Sequence, residues 1–181
     1  MDDIVKAAMA KWPNVPDCYG WLGLDARGQW WMRDDNAQRS GPFAGVGANT
    51  VSKGSLLKHD KLIEFINRNY GADEHGRWFF QNGPQRVFVE LEVAPWVWRM
   101  LMDFTLQSHT GRSAEVLSVH VDESGRLFVV TELGLGLVHS QDMHLAAEAV
   151  ETGVWTPSEC AYAELVGRQG CVLSPAAQGQ A

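Results

Sequence analysis

One short pattern occurs three times along this chain and constrains what it folds into. An Asp is followed three residues later by Gly, then a long polar residue, then two large apolar ones. The copies are Asp25-Ala26-Arg27-Gly28-Gln29-Trp30-Trp31, Asp73-Glu74-His75-Gly76-Arg77-Trp78-Phe79 and Asp122-Glu123-Ser124-Gly125-Arg126-Leu127-Phe128. An Asp side chain at the start of a turn accepts backbone N–H groups from the residues that follow. Gly supplies the positive φ that turns the chain into a returning strand. The pattern predicts three β-hairpin turns. It does not predict calcium loops, since one Asp per turn is far too few ligands. A duplicated unit would also repeat a turn, but the flanking residues do not match.

Between and after the turns the period is mostly two. Asn82-Gly83 is a strong hairpin signal, and Val87, Val89, Leu91 and Val93 alternate after it with Arg86, Phe88, Glu90 and Glu92. Beyond Pro95, Trp96 to Gln107 reads as one long strand. It has an apolar face of Trp98, Met100, Met102 and Phe104 and a mostly polar face carrying Arg99 and Asp103. Glu115–Val121 and Arg126–Leu133 read as the third hairpin, with one more short strand at Leu135–His139. Helical spacing occurs at Asp3–Lys11, at Met143–Glu151 and most clearly at Leu56–Tyr70. There Ser55 is the expected cap, Gly71 the expected terminator, and Leu62, Phe65 and Ile66 form the stripe. That stripe is expected to cover the Trp98–Phe104 face. The fold class predicted is α+β: an antiparallel, hairpin-rich sheet or sheets with one main amphipathic helix and short flanking helices.

The length, 181 residues, suits a single compact domain over 1–173, with subdomains of about 1–94 and 95–173 as the alternative. Residues 174–181 lack large side chains and read as a flexible tail. The formal net charge of −7, with no offsetting basic cluster, argues against nucleic acid and anionic membrane surfaces as partners. The acidic start Met1-Asp2-Asp3, the absence of a long apolar run, and three scattered cysteines (Cys18, Cys160, Cys171) point to a cytoplasmic protein with reduced thiols. Eight tryptophans are many for this length; most are expected in the core, with two or three lining a groove or an interface.

The stretch Lys61-Leu62-Ile63-Glu64-Phe65-Ile66, followed by Asp73 to Val87 with its Asp73-Glu74-His75-Gly76-Arg77 turn and Asn82-Gly83-Pro84 turn, resembles an uncharacterised proteobacterial family recorded as a domain of unknown function. The layout over about residues 20–145, with Pro95-Trp96 and Thr131-Glu132-Leu133-Gly134, is similar to a second such family. The resemblance implies an α+β fold and supplies no activity and no catalytic residues.

Chemical motifs are few. Ser55-Leu56-Leu57-Lys58 has the spacing of a Ser–Lys nucleophile but lacks companion motifs, and Gly47 to Gly54 has the wrong order for a phosphate loop. His139, Asp142 and His144, with Glu148 and Glu151, are metal-ligand types without a metal-site spacing, so no metal and no cofactor are expected. His59, His109 and Cys18 carry no sign of a reactive arrangement. What remains is the polar face of two central strands: Arg86, Glu90, Arg99 and Asp103, which form a candidate ligand site if the strands are neighbours. The function read from this is a non-catalytic binding or interaction module, its partner an unidentified small molecule or protein. The alternative is an enzyme of unrecognised type acting on a small anion at those four residues.

Overall fold

The computed structural model describes residues 1–178. The fold is mixed α+β, with two sheets and, among the described residues, seven mostly short α-helices. The chain divides into two units, one containing Met1–Asp25, Gln29–Glu92 and the C-terminal segment from Val172, the other Ala26–Gly28 and Val93–Cys171.

The first unit carries β1 (Cys18–Leu24), β2 (Trp30–Met32), β3 (Ser55–Leu56), β4 (Tyr70–Ala72), β5 (Trp78–Asn82) and β6 (Gln85–Leu91), in the order β3-β2-β1-β6-β5-β4. The second carries β7 (Trp96–Met100), β8 (Leu106–Ser108), β9 (Ser113–Ala114), β10 (Val116–Val121), β11 (Leu127–Thr131) and β12 (Gly134–Val138), in the order β9-β8-β7-β12-β11-β10, with β13 (Ser158–Glu159) added outside β10. The two six-strand paths are the same. In each, the first strand pairs antiparallel with the second and parallel with the sixth, and strands four to six form an antiparallel meander. Two of the three Asp-x-x-Gly turns occupy the same place on that path, between strands four and five. The third joins strands one and two of the first unit.

The turns form as their chemistry requires. Gly28, Gly76 and Gly125 have φ of 76°, 74° and 75°. In the two equivalent turns, Asp73 accepts the His75 and Arg77 N–H groups and pairs with the Arg77 guanidinium. Asp122 does the same with Ser124 and Arg126. Burial pushes both carboxyls up, but the Arg and the backbone donors carry each below the usual range.

Several expectations are corrected. The sheets are mixed rather than purely antiparallel, because β1–β6, β7–β12 and β10–β13 are parallel pairs. Such pairs join strands distant in sequence, so no local turn signals them. No single main helix stands out: α1 (Asp3–Lys11), α4 (Asp60–Arg68) and α5 (Met143–Glu151) each have nine residues. Helix α4 starts at Asp60, later than the expected Leu56, and contains the whole Leu62, Phe65 and Ile66 stripe. Its cap is His59, whose ring accepts the Leu62 N–H, while Ser55 and Gly71 lie in strands.

The long strand Trp96–Gln107 is two strands. Asp103 accepts both the N–H and the hydroxyl of Thr105, and Phe104 takes φ of 65°, so the chain reverses and Met102 is exposed. Trp98 and Met100 are buried within the sheet of the second unit, whereas α4 and its stripe belong to the first. Helix α4 instead packs on β5, with Phe65 edge-on to Phe80 at 5.5 Å between ring centroids.

The segment from Ser174, expected as a tail, is anchored as far as it is described. Pro175–Gln178 form α7, Pro175 is buried, and the Ser174 hydroxyl and Ala176 N–H donate to Glu90. The remaining residues, 179–181, lie outside the described residues. No helix among the described residues is long and apolar enough to cross a membrane.

Candidate functional site

The first unit departs from the shared strand path in two places. Between its second and third strands residues 33–54 intervene, and between its third and fourth residues 57–69 do; the matching connections of the second unit are residues 109–112 and Glu115 alone. Long insertions on a rigid sheet are where binding residues concentrate. These two hold α2 (Asp35–Arg39), α3 (Thr50–Lys53) and α4.

Arg33 organises the first insertion. Its Nε donates to Ser52 O at 2.7 Å, Nη1 to Gly20 O at 3.1 Å, and Nη2 to Gly41 O at 2.6 Å and Ala37 O at 3.4 Å. One planar fork thus ties β1, α2, the glycine-rich loop and α3 together. Burial lowers the Arg33 pKa, and the nearby Glu90 charge opposes that shift. The helices are capped by sequence-local means. Asp34 Oδ1 accepts the Ala37 N–H, and Asn49 and Ser52 form a reciprocal capping box. Gly54 closes the insertion at φ of 87°, where an added Cβ would lie 2.3 Å from Met32 O, so only glycine fits.

Two clefts result. One, of about 350 Å³, has polar walls from Asp34, Asn36, Thr50 and Ser55 and apolar ones from Trp21, Met32 and Val51. The other, of about 270 Å³, is mostly apolar and is lined by Leu22, Leu62, Ile66, Phe80 and Val87, with Cys18 beside them. Trp21 and Met32 line both clefts and are 41% and 49% exposed. Most of the other tryptophans are not: Trp30, Trp78, Trp96, Trp98 and Trp155 are buried. A smaller polar cavity of about 250 Å³ lies behind Arg33, reaching Gln38, Glu90 and Ser174. Burial pushes the Glu90 carboxyl up, against the opposing pull of Ser174, the Ala176 N–H and Arg33.

The four residues singled out from sequence do not share a sheet. Arg86 and Glu90 lie on β6, whose neighbours are β1 and β5; Arg99 is on β7, whose neighbours are β12 and β8, and Asp103 is in the turn after it. The premise that the two strands are neighbours is therefore corrected. Pro95 marks the point where the chain leaves one sheet for the other. Arg86 forms a two-point pair with Asp17, and Arg99 one with Asp142. Asp142 is held below the usual carboxylate range first by Arg99 and also by the Met100 N–H. His139 Nδ1 accepts the Gln141 N–H, and His144 Nδ1 contacts Gln141 O. Among the described residues no group of three or more His, Cys, Asp or Glu side chains could hold a metal ion. Sequence reasoning missed Trp21, Met32, Arg33 and Asp34. The available signal was the long glycine-rich connection between two strands.

No curated protein matches this chain. Two solved structures resemble it: a DUF1285 family protein from Silicibacter pomeroyi DSS-3, at 12% identity and a TM-score of 0.48 over 82% of this chain and 84% of that one, and a DUF1285 family protein from Shewanella baltica OS155, at 12% identity and 0.46 over 71% and 91%. A family model matches residues 1–178, which is the whole described chain, and on that match the protein belongs to the family DUF2944, described as "Protein of unknown function (DUF2946)".

Proposed function

We propose that the chain is a non-catalytic binding module that takes a small ligand in the paired clefts of its first unit. The observation that carries this reading is the placement of Trp21 and Met32. Both are half-exposed strand residues at the junction of an apolar pocket and a polar cleft, whose other walls come largely from insertions that the second unit lacks. A pocket with mostly apolar walls and a few polar groups at its mouth is the common form of a small-molecule site. The alternative of an enzyme working on a small anion at Arg86, Glu90, Arg99 and Asp103 draws less support, because Asp17 and Asp142 already occupy both guanidinium forks. Half-buried, unpaired Cys18, Cys160 and Cys171 fit a reducing compartment such as the cytoplasm.

Saturation-transfer NMR with small neutral aromatic fragments tests the site. Met32→Lys puts a hydrated ammonium at the junction of the clefts, and because Met32 is an exposed strand residue, stability should change by less than about 0.5 kcal/mol. Fragment signals are expected for the wild type and lost in the folded Met32→Lys variant. Equal signals from both proteins, or none from the wild type, would count against the groove.

A further inference from the structure

We infer that this groove selects a ligand with an apolar body and an ammonium head, and disfavours carboxylates and phosphates; the inference rests on the binding reading above. Two charged side chains line the polar cleft, Arg33 and Asp34. Arg33 is buried, and its guanidinium is directed into the backbone carbonyls of Gly20, Ala37, Gly41 and Ser52, so it offers an incoming anion little. Asp34 is exposed. One of its oxygens caps α2 through the Ala37 N–H, which fixes the carboxylate in place without neutralising it. The remaining polar groups there, from Asn36, Thr50 and Ser55, include hydroxyl and amide oxygens that accept from an N–H donor.

Trp21 lines both this cleft and the apolar one. The face of an indole is the electron-rich side of the ring quadrupole, and among aromatic side chains it is the best partner for a cation. Trp21 and Asp34 line the same cleft, so a cation bound there would be favoured by the ring quadrupole and by the carboxylate, and an anion disfavoured by both. The Met32 thioether is a soft, adaptable contact for the carbon atoms next to such a head. The apolar half, with Leu22, Leu62, Ile66, Phe80 and Val87, has room for a compact hydrocarbon or aryl body. The net charge of −7 adds a long-range preference of the same sign.

A matched set of probes separates the head preference from the groove itself: 3-phenylpropylamine, 3-phenylpropanol and 3-phenylpropionate share one body and differ in head charge. Each is titrated into isotopically labelled protein at low salt, following the Trp21 indole N–H signal. The amine is expected to bind about five-fold tighter than the carboxylate, the combined size of an exposed cation–π contact and a surface ion pair. Asp34→Asn keeps a good helix cap, so the fold is retained, and should remove most of that preference while leaving the alcohol unchanged. Equal binding of all three, or a preference for the carboxylate, would overturn the head assignment and leave the groove standing. A preference for the amine that survives Asp34→Asn would overturn the role of Asp34. Failure of all three to shift Trp21 would overturn the groove as well.

Discussion

Arg33→Ala is expected to destabilise the first unit by about 3–5 kcal/mol, the range in which a buried network loses its central donor. Arg33 is 4% exposed, and its removal withdraws a donor from four backbone carbonyls in four separate segments. Gly20, Ala37 and Ser52 are buried residues and Gly41 is half-buried. Arg33→Lys keeps the charge, but a single ammonium cannot point along the fork's three directions, so it should recover less than half of the loss. A pH signature follows from Glu90. Its folded pKa is raised by burial, so the folded state holds its proton more tightly than the unfolded state does. Its contribution to stability is therefore fully present below the unfolded Glu value, about 4.3, and declines as pH rises from there toward the folded value. Arg33 opposes that rise, so the decline should reach to higher pH in Arg33→Ala. Denaturant midpoints over a pH series measure both effects. A loss under about 1 kcal/mol would mean that the fork organises nothing.

Trp98→Ala should cost a similar amount, about 3–5 kcal/mol, for a different reason. Trp98 is fully buried in the second unit, stacks on Trp96 at 5.8 Å, and donates its indole N–H to Val129 O at 3.2 Å. Its ring lies against Gly136, where an added Cβ would come within 2.1 Å of the Trp98 Nε1. The glycine is there to admit the indole. Gly136→Ala alone should therefore cost about 1–3 kcal/mol by overpacking, and almost nothing once Trp98 is alanine. A double-mutant cycle by chemical denaturation reads the coupling. Strictly additive losses would show that the two positions do not share the space.

The readable parts of this chain were local. Asp25, Asp73 and Asp122 announce their turns because the Asp, the Gly and the bonds they make lie within five residues. Asp103 and Thr105 carried a comparable signal, which the apolar alternation of Trp98, Met100, Met102 and Phe104 concealed. The parallel pairings of β1 with β6 and β7 with β12 left no local trace. They join residues such as Leu22 and Val89, or Trp98 and Val138, whose partners only the closed sheet selects. The repeated strand path was hidden for a related reason: the first unit carries long insertions where the second has short links, so the sequences drift out of register.

The candidate site was the least legible. Arg33 and Asp34 sit in an ordinary polar run, and Trp21 and Met32 look like any strand residues until the insertions leave them uncovered. Of the residues chosen from sequence, Glu90 comes nearest, facing the polar cavity behind Arg33. Arg86 and Arg99 were conspicuous as charges on strands, and their partners Asp17 and Asp142 are too distant in sequence to be read as such.

The central claim is that the ligand site lies in the first unit, among the insertions on its strand path, and not in the second. The most direct test is a residue-by-residue map of backbone and side-chain NMR shifts across the whole protein, titrated with a neutral aromatic fragment such as 3-phenylpropanol. The account predicts a compact set of changes at the Trp21 indole, the Met32 methyl, Val51 and Leu62, with strands β7 to β13 undisturbed. Changes confined to the second unit, with Trp21 and Met32 silent, would contradict it.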